Sequence, residues 1–443
     1  MAMSRDLFGT DGVRGLAGRY PLDQAGAEQI GRAVGTYFAE AGQRIVIGWD
    51  PRESSEDLVT ALMTGLTAVG VNVTSVGILP TPGLAYLTRE GQDFVAGVMV
   101  TASHNPYEYN GVKVFDANGD KLTDEIEAKL NSLIESTIAA RGSGTASDDA
   151  TLIQAYENFL VSSAGGLKLA GLRLAVDSAN GAASGIAERV FDRLGAQVTA
   201  LFDDPDGRNI NAGCGATDTK ALAERVTADK LTLGIALDGD ADRLAFVDDR
   251  GRKVNGDQLM YTLAVAGKFD GVVATVMSNF GFEMALREHD IPLERVDVGD
   301  RYVLEGLQRT GFGLGGEQSG HIIFPKLLKT GDGLLAAIQT VRVLSASAKS
   351  LAQWRDEVAL LPQALVNVEL TDKTLLDRPE IQTFIKAQAV VFSGKGRVLV
   401  RSSGTEPLAR VMVEAPDAEQ AAQEVAAKLQ DLLGRQTPGS QSS

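Results

Sequence analysis

Three stretches of the chain share one order of apolar and polar positions: an apolar run, a polar turn, an amphipathic stretch and a second apolar run. In the first, Arg44–Trp49 reads as a strand, 50–55 as a turn, a helix runs to Val69, and a strand follows Gly70 over Val71–Val76. In the second, Leu172–Val176 leads through 177–184 into a helix ending at Leu194, then Gly195 and the strand Gln197–Leu201. In the third, Val272–Val276 is followed by Ser278–Gly281, a helix to His289 and the strand Leu293–Val298. Three strand–helix–strand units predict three related α/β domains, and their irregular spacing speaks for divergent duplication rather than a solenoid. Beyond Pro362 the pattern changes: an apolar stretch Ala364–Leu370, a helix near Pro379–Ala389, two short strands around 401–410, and a helix from Asp417.

The predicted fold class is α/β, with three related α/β domains carrying mixed sheets and a smaller C-terminal α+β domain, arranged around a central cleft. RGSGTASDDA at 141–150 reads as a linker, GRKVNGDQ at 251–258 as a second boundary and Pro362 as a third. The expected domains are therefore 1–150, 151–254, 255–363 and 364–443, with a polar tail from Gly434 to Ser443 expected to be disordered. In sheets of parallel strands, ligand-handling groups gather at the carboxyl ends of strands.

The polar segments that follow apolar runs carry candidate chemistry. Directly after Phe94–Val100 comes TASHNPYEYNGVKVF, which presents the Ser103 hydroxyl at a strand end with His104 beside it and Lys113 further on. Such a hydroxyl is placed for covalent chemistry. Successive side chains on an extended backbone diverge, which argues against His104 as the base for Ser103. In LDGDADRLAFVDD at 237–249, Asp238, Asp240 and Asp242 alternate between two apolar runs, so their carboxylates are expected to converge. Three converging carboxylates require a cation, and an all-oxygen set indicates Mg²⁺ rather than zinc or copper. A calcium-binding helix-loop-helix also starts with alternating Asp, but it needs Gly and Glu where this chain has Arg243 and Asp249.

Two more turns complete the set. GLGGEQSGHIIF at 313–324 places Glu317, Ser319 and His321 on a glycine-rich turn, equipment for gripping sugar hydroxyls. RSSGTEPLARVMVEA at 401–415 offers Ser403, Gly404 and Thr405 between Arg401 and Arg410, a cradle suited to a phosphate monoester; read alone, it is an ordinary Ser-Gly turn.

Composition narrows the partners. The net charge is −16, from 42 basic and 58 acidic residues, which argues against nucleic acid or an anionic membrane as partner. An anionic substrate then needs local positive charge, for which Arg14, Lys113, Arg243, Arg401 and Arg410 are the candidates. Cys214 is the only cysteine, so no intrachain disulfide forms; with no signal-peptide pattern at the N-terminus and no long uncharged apolar stretch, a cytoplasmic location is expected.

Together with FGTDGVRG at 8–15, these segments resemble, in order, the motifs of the α-D-phosphohexomutase superfamily, and PDGRNINAGCGATD at 205–218 also resembles a family segment. Within the superfamily, GEQSGH is similar to the phosphoglucosamine mutase branch. The resemblance implies an isomerase that interconverts glucosamine 6-phosphate and glucosamine 1-phosphate through phosphorylated Ser103 and a sugar 1,6-bisphosphate, feeding amino-sugar precursors of the cell wall. It implies Mg²⁺ on Asp238, Asp240, Asp242 and a phosphoserine oxygen at Ser103. Lys113, Arg14 and His321 become the candidates for proton transfer, with Lys113 preferred, and Arg243 a charge-balancing catalytic residue. Glu317 and Ser319 are expected to bind the sugar, and Arg401, Ser403, Gly404, Thr405 and Arg410 the non-reacting phosphate. The resemblance also favours a homodimer formed through the first domain. A phosphoglucomutase or phosphomannomutase, a non-catalytic sugar-phosphate sensor and a magnesium-dependent phosphatase are the competing readings.

Overall fold

The computed structural model describes residues 7–9, 12–91, 93–370, 372–402 and 407–434. The chain divides into two compact units, one of residues 1–278 with 289–357 and the other of 279–288 with 358–443.

The first unit holds three sheets. Six strands, β1 (Val13–Leu16), β2 (Arg44–Trp49), β3 (Asn72–Ile78), β4 (Phe94–Val100), β5 (Tyr109–Asp116) and β6 (Ala146–Asp148), stand in the order β1-β5-β4-β2-β3-β6. β2 is parallel to β3 and β4, while β5 runs antiparallel to both β4 and β1. β4 is apolar on both faces because both are covered. On one side the helices Gln24–Phe38, Ser55–Ala68 and Asp124–Ile134 close a core that includes Ile30, Leu62 and Leu130. On the other, Thr81–Glu90 packs against β4, and its Tyr86 stacks on Phe159.

The second sheet has the order β11-β10-β9-β7-β8, from β7 (Arg173–Asp177), β8 (Gln197–Leu201), β9 (Leu233–Leu237), β10 (Leu244–Asp248) and β11 (Lys253–Val254). β9 is parallel to β7 and antiparallel to β10, so residues 238–243 form the connection of a hairpin whose last pair is Leu237 with Leu244. The third sheet, β13-β12-β14-β15, comprises β12 (Val272–Thr275), β13 (Leu293–Val296), β14 (Leu314–Gly316) and β15 (Ile322–Ile323), with only β15 antiparallel.

In the second unit, β16 (Gln363–Glu369), β17 (Arg397–Ser402) and β18 (Leu408–Glu414) form an antiparallel sheet in the order β16-β18-β17. The helices Pro379–Phe392 and Ala418–Gly434 cover it around Ile381, Val411, Val413 and Leu429. Three mixed sheets and one small antiparallel sheet match the predicted fold class.

Two of the stretches read from the sequence take on more structure than expected. The stretch at 141–150 is no free linker: β6 lies within it and pairs in parallel with β3, because its alternating small and polar residues suit an exposed edge strand. The helix of the third repeat, Phe280–Arg287, packs into the second unit. The buried Glu414 accepts a hydrogen bond from the Phe280 N–H at 2.9 Å, and Gly281 lies against the Ala359 carbonyl. The tail reading falls on 435–443, outside the described residues. Among the described residues, no helix is long and apolar enough to cross a membrane.

The two helices Gln24–Phe38 and Ser55–Ala68 approach through Gly31 and Gly65: a Cβ on Gly65 would stand 2.0 Å from the Glu28 carbonyl oxygen. Gly65→Ala is therefore expected to force the helices apart at a cost of about 1–3 kcal/mol. A melting temperature equal to that of the parent protein would show that no such close contact exists.

Candidate active site

β4 ends at Val100, and within three residues the chain reaches Ser103, buried and with φ of 53°. A non-glycine residue in this left-handed region costs about 1–2 kcal/mol. Local bonds offset the cost: the Ser103 N–H donates to Thr101 Oγ1 at 2.9 Å, and its hydroxyl donates to Asp238 Oδ2 at 2.7 Å. The conformation differs from the extended backbone that speaks against His104 as the base. On an extended backbone the two side chains would diverge, but the left-handed turn brings His104 Nδ1 to 3.3 Å from Ser103 Oγ and 3.2 Å from Arg243 Nη1. Burial and the guanidinium groups of Arg243 and Arg14 lower the His104 pKa, which favours the neutral ring. A guanidinium only donates, so Nδ1 facing it is the unprotonated nitrogen.

The carboxylates of Asp238, Asp240 and Asp242 offer oxygens within 4.8 Å of one another, and all three residues are buried. Convergence comes from a tight connection rather than an extended strand. The Ala241 N–H donates to the Asp238 carbonyl at 2.9 Å, and Ala241 takes φ of 58°. Lys113 reaches in from β5, where it sits beside Met99 of β4; its Nζ lies 2.7 Å from Asp240 Oδ2 and 3.2 Å from Asp242 Oδ2. Thr81 donates to Asp240 Oδ2 at 2.6 Å. Burial, reinforced by the neighbouring Asp242 and Asp240, holds Asp238 well above the usual carboxylate range. Burial also opposes the charge on Asp242, but Lys113, His321 and Arg243 outweigh it and hold that carboxyl well below the range.

The cluster fits a hard divalent cation. Asp240 Oδ1 and Asp242 Oδ1 are buried with no hydrogen-bond partner among the described residues, and every donor is an oxygen. The three residues could hold a metal ion, with Ser103 Oγ bonded directly to one of them.

The turn between β14 and β15 packs on this hairpin, with the Leu244 N–H donating to the Gly320 carbonyl at 3.1 Å. Glu317 and His321 line a cavity of about 210 Å³ together with Asp242, Arg243, Lys121, Asp300 and Arg301. Glu317 is held by the Gly299 N–H at 3.2 Å and by Ser319 Oγ at 3.0 Å. Ser319 itself lines a neighbouring cavity of about 260 Å³ with Gln318, Lys253 and Asn255. His321 is buried; that burial opposes its charge, but Asp242 and Asp300 prevail and raise its pKa. Its Nδ1 lies 3.9 Å from Asp242 Oδ1, an ion-pair distance rather than a hydrogen bond, and its Nε2 faces Asp300 at 3.3 Å and the Gly331 N–H at 3.0 Å.

The structure thus brings Ser103, Lys113, Arg243, His321 and the three Asp into one site, with Arg14 on β1 close enough to bias His104. Arg401 and Arg410 stand directly opposite each other on β17 and β18 in the second unit, while Ser403, Gly404 and Thr405 lie outside the described residues. Sequence reasoning missed Lys121, Asp300 and Arg301. Lys121 Nζ pairs with Asp300 Oδ2 at 2.5 Å, and Arg301 bonds Asp124. The signal for them was VGDRY at 298–302, where Gly299 takes φ of 136° ahead of a helix N-terminus. His289, read as a surface residue, is exposed, with its Nε2 3.0 Å from the Tyr261 hydroxyl.

The serine, the carboxylate trio and the arginine-lined cavity belong to a chain that matches four family models described as phosphoglucomutase/phosphomannomutase domains. These are domain I over 5–141, domain II over 153–251, domain III over 255–360 and the C-terminal domain over 365–431. The chain belongs to the phosphoglucomutase/phosphomannomutase family. Among its relatives, it is 45% identical to the phosphoglucosamine mutase of Thermus thermophilus, covering 97% of this chain and 98% of that one. It is 44% identical to the phosphoglucosamine mutase of Deinococcus radiodurans, over 93% and 94% of the two chains. Among solved structures, a phosphoglucomutase/phosphomannomutase family protein from Burkholderia thailandensis aligns with a TM-score of 0.79 at 28% identity, covering 96% of this chain and 95% of that one.

Asp332 supports the His321 side of the site. It follows Gly331, caps the helix Gly333–Ser345 by accepting from the Leu335 N–H at 2.9 Å, and accepts from the buried Tyr156 hydroxyl at 2.9 Å. Burial raises its pKa to about 7, against the pull of those donors. The unfolded chain releases this proton near pH ~3.9. Between that pH and about 7 the folded state therefore binds more protons, and stability falls as pH rises through the window. Asp332→Asn is expected to flatten the decline in melting temperature between about pH 4 and pH 7. Identical pH dependence in parent and variant would contradict the assignment.

Proposed function

We propose that this protein is a phosphoglucosamine mutase, an isomerase that interconverts glucosamine 6-phosphate and glucosamine 1-phosphate with Ser103 as the phosphoryl carrier. One observation carries the reading: the buried Ser103 hydroxyl lies 2.7 Å from a member of a buried carboxylate trio that needs a cation. The extent of the likeness to phosphoglucosamine mutases supports the choice of amino sugar.

The two ends of a hexose are too far apart for direct transfer. A carrier solves this: phosphorylated Ser103 gives its phosphoryl group to the free hydroxyl of a monophosphate, and the bisphosphate turns round and returns its other phosphate. Each transfer exchanges one P–O bond for another and moves one proton from the attacking hydroxyl to the departing oxygen, which is the serine oxygen in the first transfer and a sugar oxygen in the return. The phosphoserine carries about −1.5 to −2 charges beside three carboxylates. Lys113 and Arg243 offset part of that charge from within the site. Asp238, Asp240, Asp242 and the Ser103 oxygen would hold Mg²⁺, which would supply the remaining neutralisation. For proton transfer, an ammonium pinned between two carboxylates can give a proton and not take one, which suits Lys113 as an acid.

Glu317, Ser319, Arg14 and His321 are proposed to hold the sugar. Arg401 and Arg410, with Ser403, Gly404 and Thr405, are proposed to hold the phosphate that is not reacting. A homodimer formed through the first domain belongs to the same proposal and rests on family resemblance, and a cytoplasmic location belongs to it on the strength of the single cysteine.

Formation of glucosamine 1-phosphate in a coupled assay is expected to require Mg²⁺ and to exceed the rates on glucose and mannose phosphates. Preference for glucose or mannose phosphates would replace this reading with a phosphoglucomutase or phosphomannomutase, and release of free phosphate in place of an isomer would replace it with a phosphatase. Ser103→Ala is expected to lower turnover by at least ~10³-fold in a folded protein and to abolish the form heavier by about 80 Da in the mass spectrum. Near-normal turnover in that variant would defeat the covalent route.

A further inference from the structure

Beneath the serine loop lies Arg52, whose side chain is wholly buried. Its Nη2 donates to the carbonyls of Ser103 and Asn105, each at 2.9 Å, and its Nη1 to those of Tyr109, at 2.9 Å, and Pro106. Its Nε bonds Asp50 Oδ2 at 2.9 Å, and Thr101 Oγ1 bonds the same carboxylate oxygen at 2.7 Å. A guanidinium is stable in such a place only when its whole fork is used, and here four loop carbonyls and a carboxylate use it. From the other side comes Asn211, in the segment PDGRNINAGCGATD, which the reaction scheme leaves without a role. Its Nδ2 donates to the Ser103 carbonyl at 2.9 Å and the Asn105 carbonyl at 3.2 Å. Gly239 of the metal hairpin lies under the same point: a Cβ there would stand 2.6 Å from the Ser103 oxygen and 2.8 Å from Asn211 Nδ2.

We propose that Arg52 and Asn211 are positioning residues that together grip the backbone of the serine loop, hold Ser103 in its left-handed conformation and so set the serine oxygen against the carboxylate trio. This role rests on the reading of Ser103 as phosphoryl carrier. Two donors draw the Ser103 carbonyl oxygen away from the side chain, which keeps a lone pair from facing a phosphoryl dianion. The grip also spans two sheets, because Arg52 follows β2 while Asn211 lies between β8 and β9, and it joins the carrier to the frame of the metal hairpin. Neither residue lines the cavity that holds Glu317 and His321.

A residue that only aims the carrier affects the chemical step and leaves sugar binding alone. Asn211→Asp keeps the shape and removes the donor. It is expected to lower kcat, and the single-turnover rate from phosphorylated enzyme to glucosamine 6-phosphate, by about 10–100-fold, the range for misplacement by about an ångström. KM should stay within about two-fold, since the interactions that bind the sugar equally in ground and transition states are untouched. Arg52→Lys keeps the charge, has no planar fork, and is expected to show the same split. Arg208→Ala breaks only the exposed ion pair between Arg208 and Glu53 in the same segment and is expected to keep the parent kcat. Unchanged kcat in Asn211→Asp, a rise in KM that accounts for the lost kcat/KM, or an equal loss in Arg208→Ala overturns the proposal even if Arg52→Lys fails to fold. Failure of the parent phosphoenzyme to transfer to the sugar overturns instead the reading of Ser103 on which it rests.

Discussion

Three carboxylates buried within 4.8 Å of one another are the constraint around which the first unit is organised. In water such groups repel weakly, but inside a protein the repulsion and the loss of hydration are large, so each must be met by a donor or a cation. Different parts of the unit supply these: Lys113 from the first sheet, Arg243 from the hairpin itself and His321 from the third sheet. Two carboxylate oxygens remain without hydrogen bonds among the described residues. Carboxylates left in this condition are poised for a divalent ion, which would also offset the charge that a phosphoryl group brings.

Backbone departures from regular structure cluster at the same place. Ser103 and Ala241 both adopt left-handed conformations, and Gly239 accepts the serine loop at a distance no side chain would allow. Strain of this kind persists only where the surroundings over-determine it. Here the buried Arg52 and the cross-sheet bonds of Asn211 do so.

Much of the site was legible from residue order alone. Ser103, the Asp trio and the Glu317–His321 turn stood out because polar chemistry followed directly on apolar runs, and their order along the chain pointed to the family. Boundaries were less legible: an edge strand of small polar residues at 146–148 looks like a linker, since such a strand buries nothing. The helix Phe280–Arg287 follows a third-sheet strand in the chain and yet packs with the second unit, because its partners, Ala359 and Glu414, are remote in sequence.

By itself, the amino-acid order determined which groups are available: three alternating carboxylates, a serine at a strand end, the Glu317–His321 turn and the two arginines that bracket a Ser-Gly turn. Periodicity and motif spacing are local properties, so they survive without knowledge of the fold. Only the tertiary structure decided that His104 turns back toward Ser103, that Lys113 is locked between Asp240 and Asp242, and that a buried Arg52 takes up the carbonyls of the serine loop. Those outcomes depend on the sign of one φ angle and on contacts more than fifty residues apart in sequence, and neither quantity is written in the order of neighbouring residues.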